Sequence, residues 1–414
     1  MPASNDLPRE NTDGDPNSST PQDLEAQSVT LVTPSDEHSI LSHQGHNIFW
    51  EHYIKEYHPI WNIAFMSTGI CAGILYKFPY PARWLEVLGL IMWGISLLLF
   101  ILVTSFTALK LYKFPVFRKD LIQDPAFSVF LGPYSMGWST LTNMIHYLAD
   151  GKFVVGQFVF WWINVILAIF CGWFLVFILF SKSKIGPPQV NFSLILPVLP
   201  LTVCAACGAL VARDMNDHRS LQMTTSIVSF LLWANSICLG FGFIYVFFGR
   251  LLLLKLPPKA ATFATFAPIG LMGQGAWGIA NQSYNMSNFF GETENLLNHD
   301  LVRVVIHWEC FFWSLILLSF GFFILAISTA TCIFYYPIPF SRAWWTMTFP
   351  IGTLSVGCTQ VYHSFGLPAF RVMGAIFGTV CILLVLVCLV GSVIVEFPHG
   401  PAKLKARASQ NLKL

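Results

Sequence analysis

Three short patterns in this 414-residue chain carry residue types that could do chemistry. GQGAWG, Gly273 to Gly278, fits the glycine fingerprint G-x-G-x-x-G, with Glu292 and Glu294 downstream where a ribose-binding carboxylate would stand. In a strand–turn–helix unit such glycines aim backbone N–H groups at a pyrophosphate. VCAACG sets Cys204 and Cys207 in a C-x-x-C, the spacing of a redox pair. RVVIHWECFF sets His307 and Glu309 in an H-x-E, the opening of a zinc-deaminase signature.

Each pattern needs an element to position it, and composition decides which elements exist. The chain is 55% hydrophobic and only 11% charged, against about 25% charged in soluble domains. It is a polytopic membrane protein. The glycine run follows FAPIGLM inside an apolar stretch, with no soluble strand before it, so the dinucleotide reading fails. Its glycines serve close approach of backbone to a pore or a neighbouring helix. The C-x-x-C lies mid-membrane between LPLTV and GALVA, where small packing cysteines are the simpler reading. No P-C-x-x-C follows the H-x-E, so no metal site is expected. His307 and Glu309 read as interface anchors, with proton sensing as the functional alternative. No Walker motif occurs. The expectation is a non-enzyme with no metal, cofactor or nucleic-acid partner. A membrane oxidoreductase using the glycines and the C-x-x-C is the reading left from another class.

A hydrocarbon core takes roughly 20 apolar residues per helix, and open sheet edges cannot face lipid. The expected class is therefore all-α, with ten transmembrane helices at about 59–76, 84–109, 127–148, 154–180, 192–212, 220–249, 262–282, 303–328, 343–364 and 368–396. They form a membrane domain over 46–398. Residues 1–45, rich in Pro, Asn, Ser and Asp, read as a disordered tail, and 399–414 as a basic tail. Of the 23 Lys and Arg, sixteen fall on the side of the two termini and seven on the other. Both tails are then cytoplasmic. The loop after the seventh span faces outside, with Asn281 and Asn285 as candidate glycan acceptors.

The odd-numbered spans differ from the even ones. Each has a proline near its start: Pro59, Pro133, Pro197 with Pro200, Pro268 and Pro350. Small and polar residues recur at steps of three and four, which share one helix face. The third span has Ser135, Ser139, Thr142 and His146; the seventh has Gly270, Gln274, Gly278 and Asn281. The ninth has Thr346, Phe349, Thr353, Gly357 and Gln360, and the first carries Asn62 and Ser67. The even spans are bulky and apolar nearly all round. Five proline-bent helices inside and five greasy ones outside satisfy this alternation, with a polar central path. Arg213 and Arg371 stand near span ends, where they attract anions or simply snorkel.

Four segments, FPYPARWL (78–85), GLMGQGAWG (270–278), WWTMTFPIGTLSVG (344–357) and AFRVMGAIFG (369–378), carry a resemblance. They resemble the tellurite-resistance/dicarboxylate transporter family, which includes plant slow anion channels and fungal transporters of malate and sulfite. The resemblance implies five helical hairpins around a pore lined by the odd helices, a homotrimer in the bilayer, and a phenylalanine plugging each pore. Phe349 of TMTFPIG matches that plug. It further implies export of sulfite or bisulfite across the plasma membrane. The first span, HPIWNIAFMSTGICAG, departs from the sulfite-exporting pattern through Asn62 and Ser67, and a dicarboxylate such as malate is the alternative substrate.

Overall fold

The structure is a computed structural model that describes residues 54–182, 186–187, 190–215, 217–291 and 299–411, without the side chains of 290–291, 299 and 396–411. The tail over 1–45, Lys184, Glu292 and Glu294 lie outside the described residues. Among those described, all regular structure is helical. The long helices are α1 Trp61–Tyr76, α2 Arg83–Lys113, α3 Gly132–Ala149, α4 Val154–Lys182 and α5 Leu199–Val211. They continue as α6 Arg219–Leu254, α7 Ala267–Gly291, α8 His299–Phe334, α9 Trp345–Phe365 and α10 Pro368–Asn411.

The sequence alternation returns as an alternation of burial. Among the described residues, α2, α4, α6, α8 and α10 are the five helices long and apolar enough to cross a membrane. Their outward residues include Ile91, Ile101, Ile166, Leu231, Phe312 and Leu383, all exposed. An apolar surface of this extent suits lipid as solvent. α1, α5 and the body of α9 are buried almost throughout, and with them Asn62, Ser139, Thr202, Gln274, Asn281 and Thr353. Each buried helix packs against the apolar helix that follows it. The buried helices also pack on one another in the order α1, α3, α5, α7, α9 and back to α1, so they close a ring.

The prolines act differently from the expected bends. Pro133 and Pro200 occupy the first turns of α3 and α5, and Pro268 is the second residue of α7. There a missing N–H costs nothing and the fixed φ starts the helix. Pro350 alone among these six prolines sits inside its helix. The chain leads into α3, α5, α7 and α9 through 3-10 turns at Val129–Leu131, Phe192–Ile195, Lys259–Phe266 and Arg342–Trp344. α5 is thus only 13 residues long, about 20 Å. At the other end α10 runs on as helix to Asn411, since KLKARASQN is rich in strong helix formers.

The glycines of GQGAWG each meet a different neighbour. A Cβ on Gly273 would lie 2.5 Å from the backbone carbonyl carbon of Thr353, and one on Gly357 would lie 2.8 Å from the Gly273 carbonyl oxygen. α7 and α9 therefore touch backbone to backbone. Gly275 faces the side-chain tips of Ile237 and Leu317, and Gly278 faces Ala206 of α5. Gly273→Ala forces backbone apart, an overpacking cost of about 1–3 kcal/mol, whereas the tips beside Gly275 can turn aside. Thermal unfolding in detergent is expected to show a clear drop for Gly273→Ala and a smaller one for Gly275→Ala. Equal midpoints would remove helix approach as the reason for Gly273.

Candidate functional site

A cavity of about 230 Å³ lies where the buried helices begin. Ile60 before α1, Phe130 before α3, Leu199 of α5, Ala267 of α7 and Thr346 of α9 all line it. All five buried helices therefore point their N-termini at one space. Each such terminus carries roughly half a positive charge and unbonded N–H groups, a setting that favours anions. The lining is mostly apolar, with Asn191, Ser193 and Thr346 as its polar members. Phe349 and Pro350 form one wall, and the Phe349 ring is 1% exposed. Gly270 neighbours the ring: a Cβ there would lie 3.9 Å from it, an ordinary contact.

The polar residues read from sequence fall into two groups. Several tie the helices together. Ser135 Oγ donates to Asn164 Oδ1 of α4 at 2.8 Å, and Asn164 Nδ2 donates to Ser139 Oγ at 2.5 Å. Thr348 donates to Ser67 Oγ at 2.6 Å, joining α9 to α1. Asn62 Nδ2 donates to the Phe130 carbonyl, and Thr142 to that of Trp138. Thr353 donates to the Pro350 carbonyl at 2.6 Å and to that of Ile269 at 3.3 Å. Some capacity is left over: Gln274 Oε1 and Asn62 Oδ1 are buried with no hydrogen-bond partner among the described residues. Gln360 Nε2 donates to Ser364 Oγ. Asn164 and Thr348 were not legible as partners, because an even span and a lone hydroxyl give no pattern.

Arg213 and Arg371 both stand where the buried helices end. Arg213 Nη1 donates to Asn281 Oδ1 at 3.1 Å and its guanidinium lies 5.2 Å from the Tyr284 ring. Arg371 Nε donates to the Pro79 carbonyl at 3.0 Å and the guanidinium lies 4.2 Å from the Tyr80 ring. Asn281 and Asn285 are buried, and the Asn285 amide donates to the Ala209 carbonyl. Neither is a glycan acceptor, because both amides are inside the helix bundle. His307 Nδ1 shares a 2.8 Å hydrogen bond with Ser283, while Glu309 accepts from Trp313. Cys204 and Cys207 are free and buried.

A ring of buried helices sheathed by long apolar ones is the build of a multi-pass membrane protein. The chain belongs to the voltage-dependent anion channel (SLAC1) family, whose model matches residues 56–393. It is similar to the sulfite efflux pump of Candida albicans, at 30% identity over 393 residues, covering 89% of this chain and 80% of that protein. The sulfite efflux pump of Saccharomyces cerevisiae is 27% identical over 396 residues, covering 81% and 86%. An uncharacterized transporter of Methanocaldococcus jannaschii is 21% identical over 319 residues, covering 76% and 87%.

At the cavity end, His58 fixes the start of α1. Its Nδ1 accepts from the Ile60 N–H at 3.0 Å, and its ring packs on Phe127 and Phe130. Burial, with the charges of Arg342 and Lys110 adding to it, pushes the imidazole from its ordinary 6.5 down to about 4. The unfolded chain therefore takes up this proton first. Stability from His58 is complete above about pH 6.5 and is lost as pH falls through about 4. His58→Asn, which keeps an acceptor but does not titrate, is expected to lose less melting temperature than the parent between pH 7 and pH 4. Identical slopes would show that the ring is not held neutral.

Proposed function

We propose that this chain exports sulfite or bisulfite across the plasma membrane, down the anion's electrochemical gradient. The observation that carries the reading is its likeness to fungal sulfite efflux pumps along most of its length, 89% of it for the one from C. albicans. In this reading the ten helices cross as five hairpins, the odd ones line a pore, and both termini are cytoplasmic. Residues 46–398 make the membrane domain, with 1–45 and 399–414 as cytoplasmic tails. Three copies assemble side by side. The closed ring of buried helices supports the pore, and the apolar even helices support the lipid-facing sheath.

The anion enters the cavity from the cytoplasm, drawn by the five helix starts. Backbone N–H groups and the few hydroxyls replace its water without a lysine or arginine to trap it, so release stays fast. Phe349 closes the passage by volume and by excluding water. With the ring swung aside, the path continues along Gln274, Gly278, Thr353, Gly357, Gln360 and Asn281, while Asn62, Ser67, Ser135, Ser139 and Thr142 hold the wall. Arg213 and Arg371 attract the anion at the far end. A cell negative inside drives each negative charge outward with about 2.3 kcal/mol per 100 mV, so no nucleotide is required.

Liposomes containing the purified chain test this directly. Sulfite flux is expected to exceed malate, nitrate and chloride flux, and Phe349→Ala to raise it several-fold. Removing a buried Phe ring costs about 3–5 kcal/mol in a packed core, so the variant is compared only as a monodisperse oligomer. Malate flux above sulfite flux would replace the substrate. A well-folded Phe349→Ala protein with reduced flux would place the gate elsewhere.

A further inference from the structure

The Phe349 cavity has a neighbour. A groove of about 430 Å³ lies between the end of α4 and the second half of α6, with the chain that leads into α5 as its floor. Phe180, Cys238, Gly242 and Val246 line it and are exposed, on helices whose outer surface suits lipid. A Cβ on Gly242 would meet nothing within 4 Å, so the groove is open space there. One turn of 3-10 helix, Phe192–Ile195, divides the groove from the cavity. Side chains three apart share a face in such a turn. Phe192 and Ile195 line the groove, Ser193 and Leu196 line the cavity, and Asn191 touches both. Phe192 also packs its ring on Phe247 of α6. An occupant of the groove therefore bears on the back of the cavity wall.

The groove is apolar, but its end is cationic. α4 and α6 run parallel, since Trp173 meets Asn235 and, further along both, Phe180 meets Phe243. Just past the groove stand Lys182, the last residue of α4, and Arg250, whose guanidinium carbon lies 6.0 Å from the Phe247 ring. Arg250 is only 8% exposed; its Nη1 donates to the Lys255 carbonyl, and its Nε is buried with no hydrogen-bond partner among the described residues. The helix Pro115–Gln123, packed on the end of α4, adds Arg118 and Lys119 against Asp120. Neither 151–213 nor 218–291 contains an aspartate or glutamate. Positive charge at this end of the groove is therefore in excess.

We propose that this groove is a site for an anionic phospholipid, with one acyl chain lying over Gly242 and the headgroup beside Lys182. The chain fills the apolar space behind Phe192 and Ile195 and so supports the wall that carries Ser193 and Leu196 on its other side. The cations at the groove's end, with the buried Arg250 charge behind Lys182, select an anionic headgroup over a zwitterionic one. Cytoplasmic leaflets carry such lipids, and basic pockets between membrane helices on that side hold their headgroups. The site rests on the transport reading for its leaflet and its bearing on flux, whereas binding requires neither.

The test titrates the delipidated full chain, in neutral detergent, with phosphatidylserine or phosphatidylcholine and measures retained lipid by native mass spectrometry. Saturable retention of phosphatidylserine in preference to phosphatidylcholine is expected. Lys182→Gln is expected to weaken phosphatidylserine about fivefold without changing phosphatidylcholine, and Lys182→Arg to restore it. Gly242→Phe, which sets a ring in the open groove, is expected to lose the lipid while staying folded; Gly242→Ala, which leaves the space, is expected to keep it. Equal affinity for the two lipids, no retention by the parent, or retention by Gly242→Phe equal to the parent's would each overturn the site. In the last case, an oligomer that came apart would assign the groove to contact between copies. Retention that depends on Lys182 and Gly242 in a protein that moves no sulfite in liposomes would keep the site and remove the export reading.

Discussion

Lipid offers no hydrogen bonds, so a helix with polar residues must find its partners inside protein. The whole architecture follows from that constraint. Five helices here carry amides, hydroxyls and glycines that lipid would leave unsatisfied, and they share one interior. α5, at 13 residues, is too short to cross roughly 30 Å of hydrocarbon alone. It is tolerated because α4 and α6 cover it, with Trp161 Nε1 of α4 donating to the Cys204 carbonyl. The 3-10 leads into α3, α5, α7 and α9 survive for the same reason: they are packed against protein.

Closing the ring also fixes direction. When each buried helix is followed by an apolar one that returns the chain, all five buried helices run the same way. Their dipoles then add instead of cancelling, and one end of the ring becomes anion-seeking while the other repels anions. Lys77, Arg213 and Arg371 stand at that second end.

The alternation of helix type was legible because it rests on local composition. Bulky apolar spans and spans with small polar residues differ residue by residue, and burial followed that difference. The glycines of GQGAWG were legible as contact points, though not their separate partners, since Gly273 touches Thr353 some eighty positions away. Hydroxyl stripes misled more. Ser135 and Ser139 share a face, but that face is turned to Asn164 on α4, and helix periodicity gives a stripe no compass. The prolines misled through position: a first-turn proline starts a helix and an interior one strains it, and only the structure shows which turn is first.

Thiols bear on the proposed sulfite export. All ten cysteines are free, and Cys71, Cys204, Cys207, Cys358 and Cys381 are among the most buried residues of the bundle. Sulfite is a sulfur nucleophile: it attacks a disulfide, forms an S-sulfonate and expels the partner as thiolate. A thiol has no such leaving group and is inert to it. A disulfide within reach of such an anion would be cut by it. The present one is held by Gly273 against Thr353, by the Asn164 amide between two serines and by Thr348 on Ser67, none of which sulfite can break.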